Sequence, residues 1–192
     1  ADRTVIGNTT PKFSGGFGLN ATYKGFDMSM FFNFMYDFDV LNANKIMLTT
    51  WADNKENNFL MDIASDKRWR NFDDMGNEIR YSPEVLAEFN KNATMWNPTS
   101  IGRPICMSYA VEDGSFLRLN SATLGYTLPS VWTKKVGLSK VRFYVSGNNL
   151  FTLTGYSGYD PEVNIATGLT PNIDYDRYPR SRTYTFGAQL TF

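Results

Sequence analysis

Carboxylates crowd the stretch from Asp53 to Glu88, and the sequence Asp73-Asp74-Met-Gly-Asn77 places three oxygen-bearing side chains around a glycine. Side chains of this kind are the hard ligands that Ca²⁺ prefers. The same spacing also makes a plain Asx turn, in which an aspartate accepts from amides two residues further on. An acidic pair could also serve a hydrolase. Trp51, Trp69, Trp96, Tyr156 and Tyr159, with Asp160 beside the last, form a second set. Aromatic faces next to a carboxylate suit stacking on a sugar ring or contact with a protein lid; they equally suit packing of one loop on another. The chain has no histidine, which removes the Ser-His and Cys-His nucleophile pairs and the commonest metal ligand. Its one cysteine, Cys106, excludes an internal disulfide and reads as a buried apolar filler.

The elements that must position these residues are strands. From Arg182 to Phe192, Tyr184, Phe186, Ala188, Leu190 and Phe192 share one face, and Thr183, Thr185, Gly187, Gln189 and Thr191 the other. That is a strict period of two over about the length of a tilted membrane-crossing strand. The pattern recurs at 13–23, 26–37, 115–128 and 141–149. Lys24-Gly25 makes a two-residue turn between the first two strands. Leu117 and Leu119 run out of phase with Ala122 and Leu124, so a bulge is expected near Asn120. Phe31 and Met35 interrupt the polar, lumen-facing side of the second strand, which packing against a plug would explain. Ser82-Pro83 should start a short helix, with Ser82 as N-cap and Pro83 at N1. Residues 129–140 read as a helical turn.

Connections alternate in length. Those after the first and third strands are short, whereas 38–114 and 150–181 are long. Transmembrane barrels alternate in this way, with short periplasmic turns and long extracellular loops. The aromatics at the strand ends suit interfacial girdles. Lysine plus arginine equals aspartate plus glutamate, 19 each, so no basic cluster points to nucleic acid. No apolar run is long enough for a membrane-crossing helix, which says nothing against strands. The first residues carry no export signal. Five strands cannot close a barrel, so the chain is expected to be the C-terminal part of a larger one, with the C-terminus periplasmic. The competing reading is a soluble β-rich carbohydrate-binding or adhesion domain. What covers Phe17, Leu19, Phe32, Phe143, Phe186 and Leu190 separates the two.

Ordered segments along the chain resemble one family. They are Asp2-Arg-Thr-Val-Ile-Gly-Asn8 with Pro11-Lys-Phe-Ser-Gly-Gly-Phe17, the run from Gly114 to Pro129, and Val141 to Thr152. Tyr156-Ser-Gly-Tyr-Asp-Pro-Glu162 and the ending from Tyr178 complete the set. Together they resemble the late barrel strands of SusC/RagA-type TonB-dependent transporters. The resemblance implies an all-β fold: an antiparallel meander of about five long strands in a barrel of the 22-stranded, plugged type, here without the plug domain. It also implies residence in the bacterial outer membrane, contact with its lipid, and import of glycans or peptides rather than catalysis. A SusD-like surface lipoprotein would be a partner, and TonB would act through an absent N-terminal region. Tyr184, Phe186, Leu190 and Phe192 would form the terminal assembly signal.

Overall fold

A computed structural model describes residues 3–50, 58–63, 67–98, 105–163, 172–175 and 178–192. Its principal feature is a sheet of five antiparallel strands: β1 (Phe13–Tyr23), β2 (Phe26–Tyr36), β5 (Phe116–Thr127), β6 (Lys140–Thr154) and β8 (Thr183–Thr191). They lie in the order β1-β2-β5-β6-β8, so each long strand pairs with the next along the chain. Short strands β3 (Asp39–Asn42), β4 (Val111–Asp113) and β7 (Ile173–Asp174) form a second sheet in the order β4-β3-β7.

Turn chemistry fixes the register of the first hairpin. Lys24 and Gly25 have φ of 46° and 88°. Both central residues of a type I′ turn need such values, and that turn matches the right-handed twist of paired strands. Tyr23 pairs with Phe26 and Phe13 with Tyr36, with no slip between them.

The phase slip in β5 is carried by a bulge. Phe31 pairs with Ser121 and Phe32 with Leu119, which leaves Asn120 as the extra residue. On the other side, Leu119 pairs with Phe151 and Ser121 with Asn148, so Asn149 and Leu150 are also set out of the ladder. Asn149 has φ of 54°, and its side chain donates to the Arg180 carbonyl at 2.9 Å. Asn148-Asn149 therefore does not end β6, as the sequence suggests; the strand continues to Thr154 and the long connection starts later. A polar Asn pair serves a bulge as readily as a turn, because Asn tolerates positive φ.

Contact density divides the chain into two units. The first comprises residues 1–40, 111–173 and 177–192 and contains all five long strands. Its core is Phe38, Val40, Phe116, Tyr156 and Val163, with Met35 packed against it. Met35 thus has an apolar partner inside its own unit. Phe31 lies over Gly16: a Cβ added there would come within 2.8 Å of its ring. An aromatic covering a cross-strand glycine accounts for its place on the polar face.

The second unit comprises residues 41–110 and 174–176. It holds α1 (Ala43–Met47), α2 (Pro83–Phe89) and several single turns. Asn42 caps α1 by accepting from the Lys45 amide at 3.0 Å. Pro83 stands at the start of α2, but Ser82 makes no side-chain cap bond. In the first unit, α3 (Ser130–Thr133) joins β5 to β6 and leads into a 3-10 turn over Lys134–Val136. No described helix is long and apolar enough to cross a membrane, which says nothing of strands.

Candidate functional site

The large sheet has two chemically distinct faces, and the register lines up each one across strands. Tyr23, Phe26, Tyr126, Phe143 and Ala188 form one row. Ala21, Met28, Leu124, Val145 and Phe186 form the next, then Leu19, Met30, Ala122, Gly147 and Tyr184. Phe17 and Phe32 stack with ring centroids 4.9 Å apart, and Phe26 and Tyr126 approach to 4.4 Å. Yet Phe17, Phe143 and Phe186 remain 43%, 52% and 80% exposed. Met30 and Phe32 are half-buried, because same-face neighbours shield residues of an interior strand. An apolar face of this extent, uncovered among the described residues, is not a soluble core.

On the opposite face the rows are polar. Asn20, Ser29, Thr123, Ser146 and Thr185 form one of them. Near the tight turns, Arg142 Nε donates to Asp27 at 2.9 Å. The pair spans Gly125, where an added Cβ would come within 2.4 Å of the Arg142 guanidinium. The Tyr144 ring lies over Gly187 in the same way. Glycine at both positions leaves room for a charged and an aromatic side chain to lie flat against the wall.

At the far end, the segment after β6 folds onto this polar face. Tyr156 is 6% exposed and belongs to the core, so it is not available as a contact residue. Asp160 is also buried: it accepts a short hydrogen bond from Arg118, which is itself 1% exposed. Glu162 lies between Arg118 Nη1 at 3.5 Å and Arg180 at 3.0 Å. Arg118 Nε and Nη1 make no hydrogen bond among the described residues. Glu112 clamps the near side, accepting from the Ser157 amide at 2.9 Å and from its hydroxyl at 2.8 Å. Tyr159, at the tip, stays 82% exposed. Of the sequence candidates Tyr156, Tyr159 and Asp160, Tyr159 is the one that faces solvent, and Arg118 is the neighbour that sequence reasoning missed. An arginine at a polar-face position of β5 was the available signal.

The other candidates lie in the second unit. Trp69 is 41% exposed. Trp96 is half-buried; its Nε1 donates to the Thr49 carbonyl at 3.1 Å and its ring meets Tyr109 edge-on at 5.1 Å. It therefore packs the unit rather than offering a free face. Trp51 lies outside the described residues. Asp73 accepts from the Met75 and Asn77 amides at 2.9 and 2.7 Å and from the Asn77 side chain at 2.9 Å. These bonds hold its carboxyl below the usual range. Asp74 pairs with Arg70 at 2.7 Å. Asp73 and Asn77 thus close an Asx turn, with Asp74 held by Arg70, and no group of three His, Cys, Asp or Glu side chains placed to hold a metal occurs among the described residues. Cys106 is exposed, not buried as expected, because it sits in a connecting loop just before the 3-10 turn at Ser108–Ala110. Tyr184, Phe186, Leu190 and Phe192 all project from the apolar face or the strand end and are exposed.

No family model matches the chain. It is 35% identical to TonB-dependent receptor P3 of Formosa agariphila over 198 residues, covering 100% of this chain and 17% of the relative. It is 36% identical to TonB-dependent receptor SusC of Bacteroides thetaiotaomicron over 88 residues, 44% of this chain and 8% of that one. Among solved structures, the RagAB peptide transporter matches with a TM-score of 0.72 at 25% identity, over 98% of this chain and 18% of that chain. The RagAB peptide importer in its open-open state matches at 0.69 and 26%, over 96% and 17%. The chain thus spans less than a fifth of the length of these relatives, at 17% and 18%. All are receptors or importers rather than enzymes, which removes the hydrolase reading. With its five-stranded meander and its uncovered apolar rows, the chain belongs to the SusC/RagA-type family of TonB-dependent receptors.

Proposed function

We propose that the chain forms five neighbouring wall strands of an outer-membrane importer that takes up peptides or glycans. The observation that carries this reading is the registered apolar face, still exposed at Phe17, Phe143, Phe186 and Leu190. Lipid is the solvent that such a face fits, and a closed barrel satisfies the free edges of β1 and β8. The polar face, with Asn20, Ser29, Thr123 and Ser146, lines the lumen. Residues 38–114 and 155–181 lie outside the cell, and the tight turns and the C-terminus lie in the periplasm, following the loop-length rule.

RagAB imports peptides, which supports peptides as the cargo. A SusD-like lipoprotein serves as the lid, and TonB supplies the energy through another part of the protein. Tyr159 and Trp69 remain the exposed aromatic contacts for cargo or lid.

A cysteine scan along β2 in the full-length receptor, in whole cells, tests the wall. Cysteines at positions 28, 30, 32 and 34 should resist a membrane-impermeant maleimide and, once coupled to a membrane-permeant fluorophore in the receptor reconstituted with brominated lipid, should be quenched, whereas those at 29 and 33 should escape quenching. Equal quenching on both faces would refute the assignment. Mass spectrometry of peptides and glycans retained by the purified receptor then identifies the cargo class.

A further inference from the structure

The connection between β5 and β6 carries a surface that the wall reading leaves unused. α3 and the turn after it expose Val131, Trp132 and Val136 at 68%, 60% and 71%. Lys134 and Lys135 lie between them and are exposed; Lys140 pairs with Thr191 on the polar face of the sheet and is not part of this surface. No aspartate or glutamate occurs from Leu128 to Tyr159. The segment is firmly built: Thr133 is 2% exposed, and its carbonyl accepts from the Leu138 amide at 3.1 Å.

Its placement is on the apolar side of the sheet. Val141 shares a face with Phe143 and pairs with Leu190, both 52% exposed, yet Val141 is only 5% exposed. α3 is the element packed against β6 here. The end of the chain joins the same patch. Ser139 donates from its amide to the Thr191 carbonyl at 2.8 Å and from its hydroxyl to the Phe192 carbonyl at 3.2 Å, and the Phe192 side chain is 90% exposed.

We propose that this turn, with Phe192, is a membrane-surface anchor that binds the headgroups of anionic phospholipids. The inference rests on the wall reading, which places the tight-turn end at the periplasmic leaflet. Tryptophan prefers the headgroup level, and lysine stems lie along apolar surface while their ammonium groups reach phosphate. A solvated loop has no reason to expose three large apolar groups, and a purely apolar contact has no use for the two lysines set between them. Each lysine near an anionic surface should tighten headgroup binding about fivefold.

The test uses the full-length receptor in nanodiscs of phosphatidylcholine, alone or mixed with phosphatidylglycerol. Spin labels at Trp132→Cys and, separately, Phe143→Cys report depth from the ratio of oxygen to nickel-chelate accessibility. Retained phosphatidylglycerol is counted by native mass spectrometry for wild type and for K134Q/K135Q. Support requires a headgroup-level label at position 132, an acyl-level label at 143, and at least a tenfold loss of retained phosphatidylglycerol in the double lysine variant. If the label at 143 is at acyl level but the one at 132 is aqueous, or the double lysine variant retains lipid as wild type does, the anchor is overturned and the wall stands. An aqueous label at 143 overturns both. Both lysines are exposed, so the double variant should fold; its level in the outer membrane checks this.

Discussion

Replacing Asp160 with alanine should free the segment from Tyr156 to Val163 from the wall. Arg118 is 1% exposed and Asp160 is its closest anion. Glu162, at 3.5 Å, is too distant to take over that bond without moving. Removing one member of a buried pair costs about 3–5 kcal/mol, because the other charge is left without compensation. Glu162 remains nearby and partly solvated, so the lower end, about 3 kcal/mol, applies here. The Glu162 amide also loses its bond to Asp160, 2.9 Å in the wild type. The rest of the sheet is held by its own ladders, so the loss falls on local opening rather than on the whole barrel. Amide hydrogen exchange at Ser157 and Glu162 in the full-length protein should therefore accelerate by about 10². Asp160→Asn should fall between, since it keeps an acceptor for the Glu162 amide. The double variant Arg118→Met with Asp160→Leu should exchange more slowly than Asp160→Ala, because the buried Arg118 charge is removed with its partner and Glu162 keeps Arg180. If Asp160→Ala exchanges within about twofold of wild type, the pair does not hold the segment and the reasoning fails.

Phe32→Arg, in the middle of the apolar face, should lower barrel stability by about 2–4 kcal/mol in urea unfolding from bilayers; a neutral result would contradict the face assignment. Gly25→Val should cost about 1–3 kcal/mol, because φ there is 88° and an added Cβ would meet the Thr127 carbonyl at 2.8 Å; unchanged folding yield would count against it. The Asp73 carboxyl is held below its ordinary value of 3.8 by Asn77, so its contribution is complete above that pH. As pH falls below that value the turn should loosen, seen as faster exchange of the Met75 and Asn77 amides; Asn77→Ala, which removes only the side-chain donor and keeps the backbone ones, should weaken the pH dependence, and Asp73→Ala should abolish it.

Local rules carried much of this protein's architecture into its sequence. Period-two alternation needs only neighbouring residues, so β1, β2, β5 and β8 were legible within one or two residues. Lys24-Gly25 was legible because positive φ is a property of single residues, and the phase slip at Asn120 because a bulge disturbs the alternation where it occurs. The ordered segments carried the family for the same reason. What the sequence could not disclose is which loop residues turn back onto the sheet. Tyr156 and Asp160 share their loop with Tyr159, yet two are buried and one is exposed. That outcome depends on Arg118, 42 positions away, and on Phe38 and Val40 across the core. Met35 and the Asn149 bulge were decided in the same way, by partners brought near only when the chain folds. Periodicity records which face a strand residue occupies; burial in an irregular segment is set by what arrives from elsewhere.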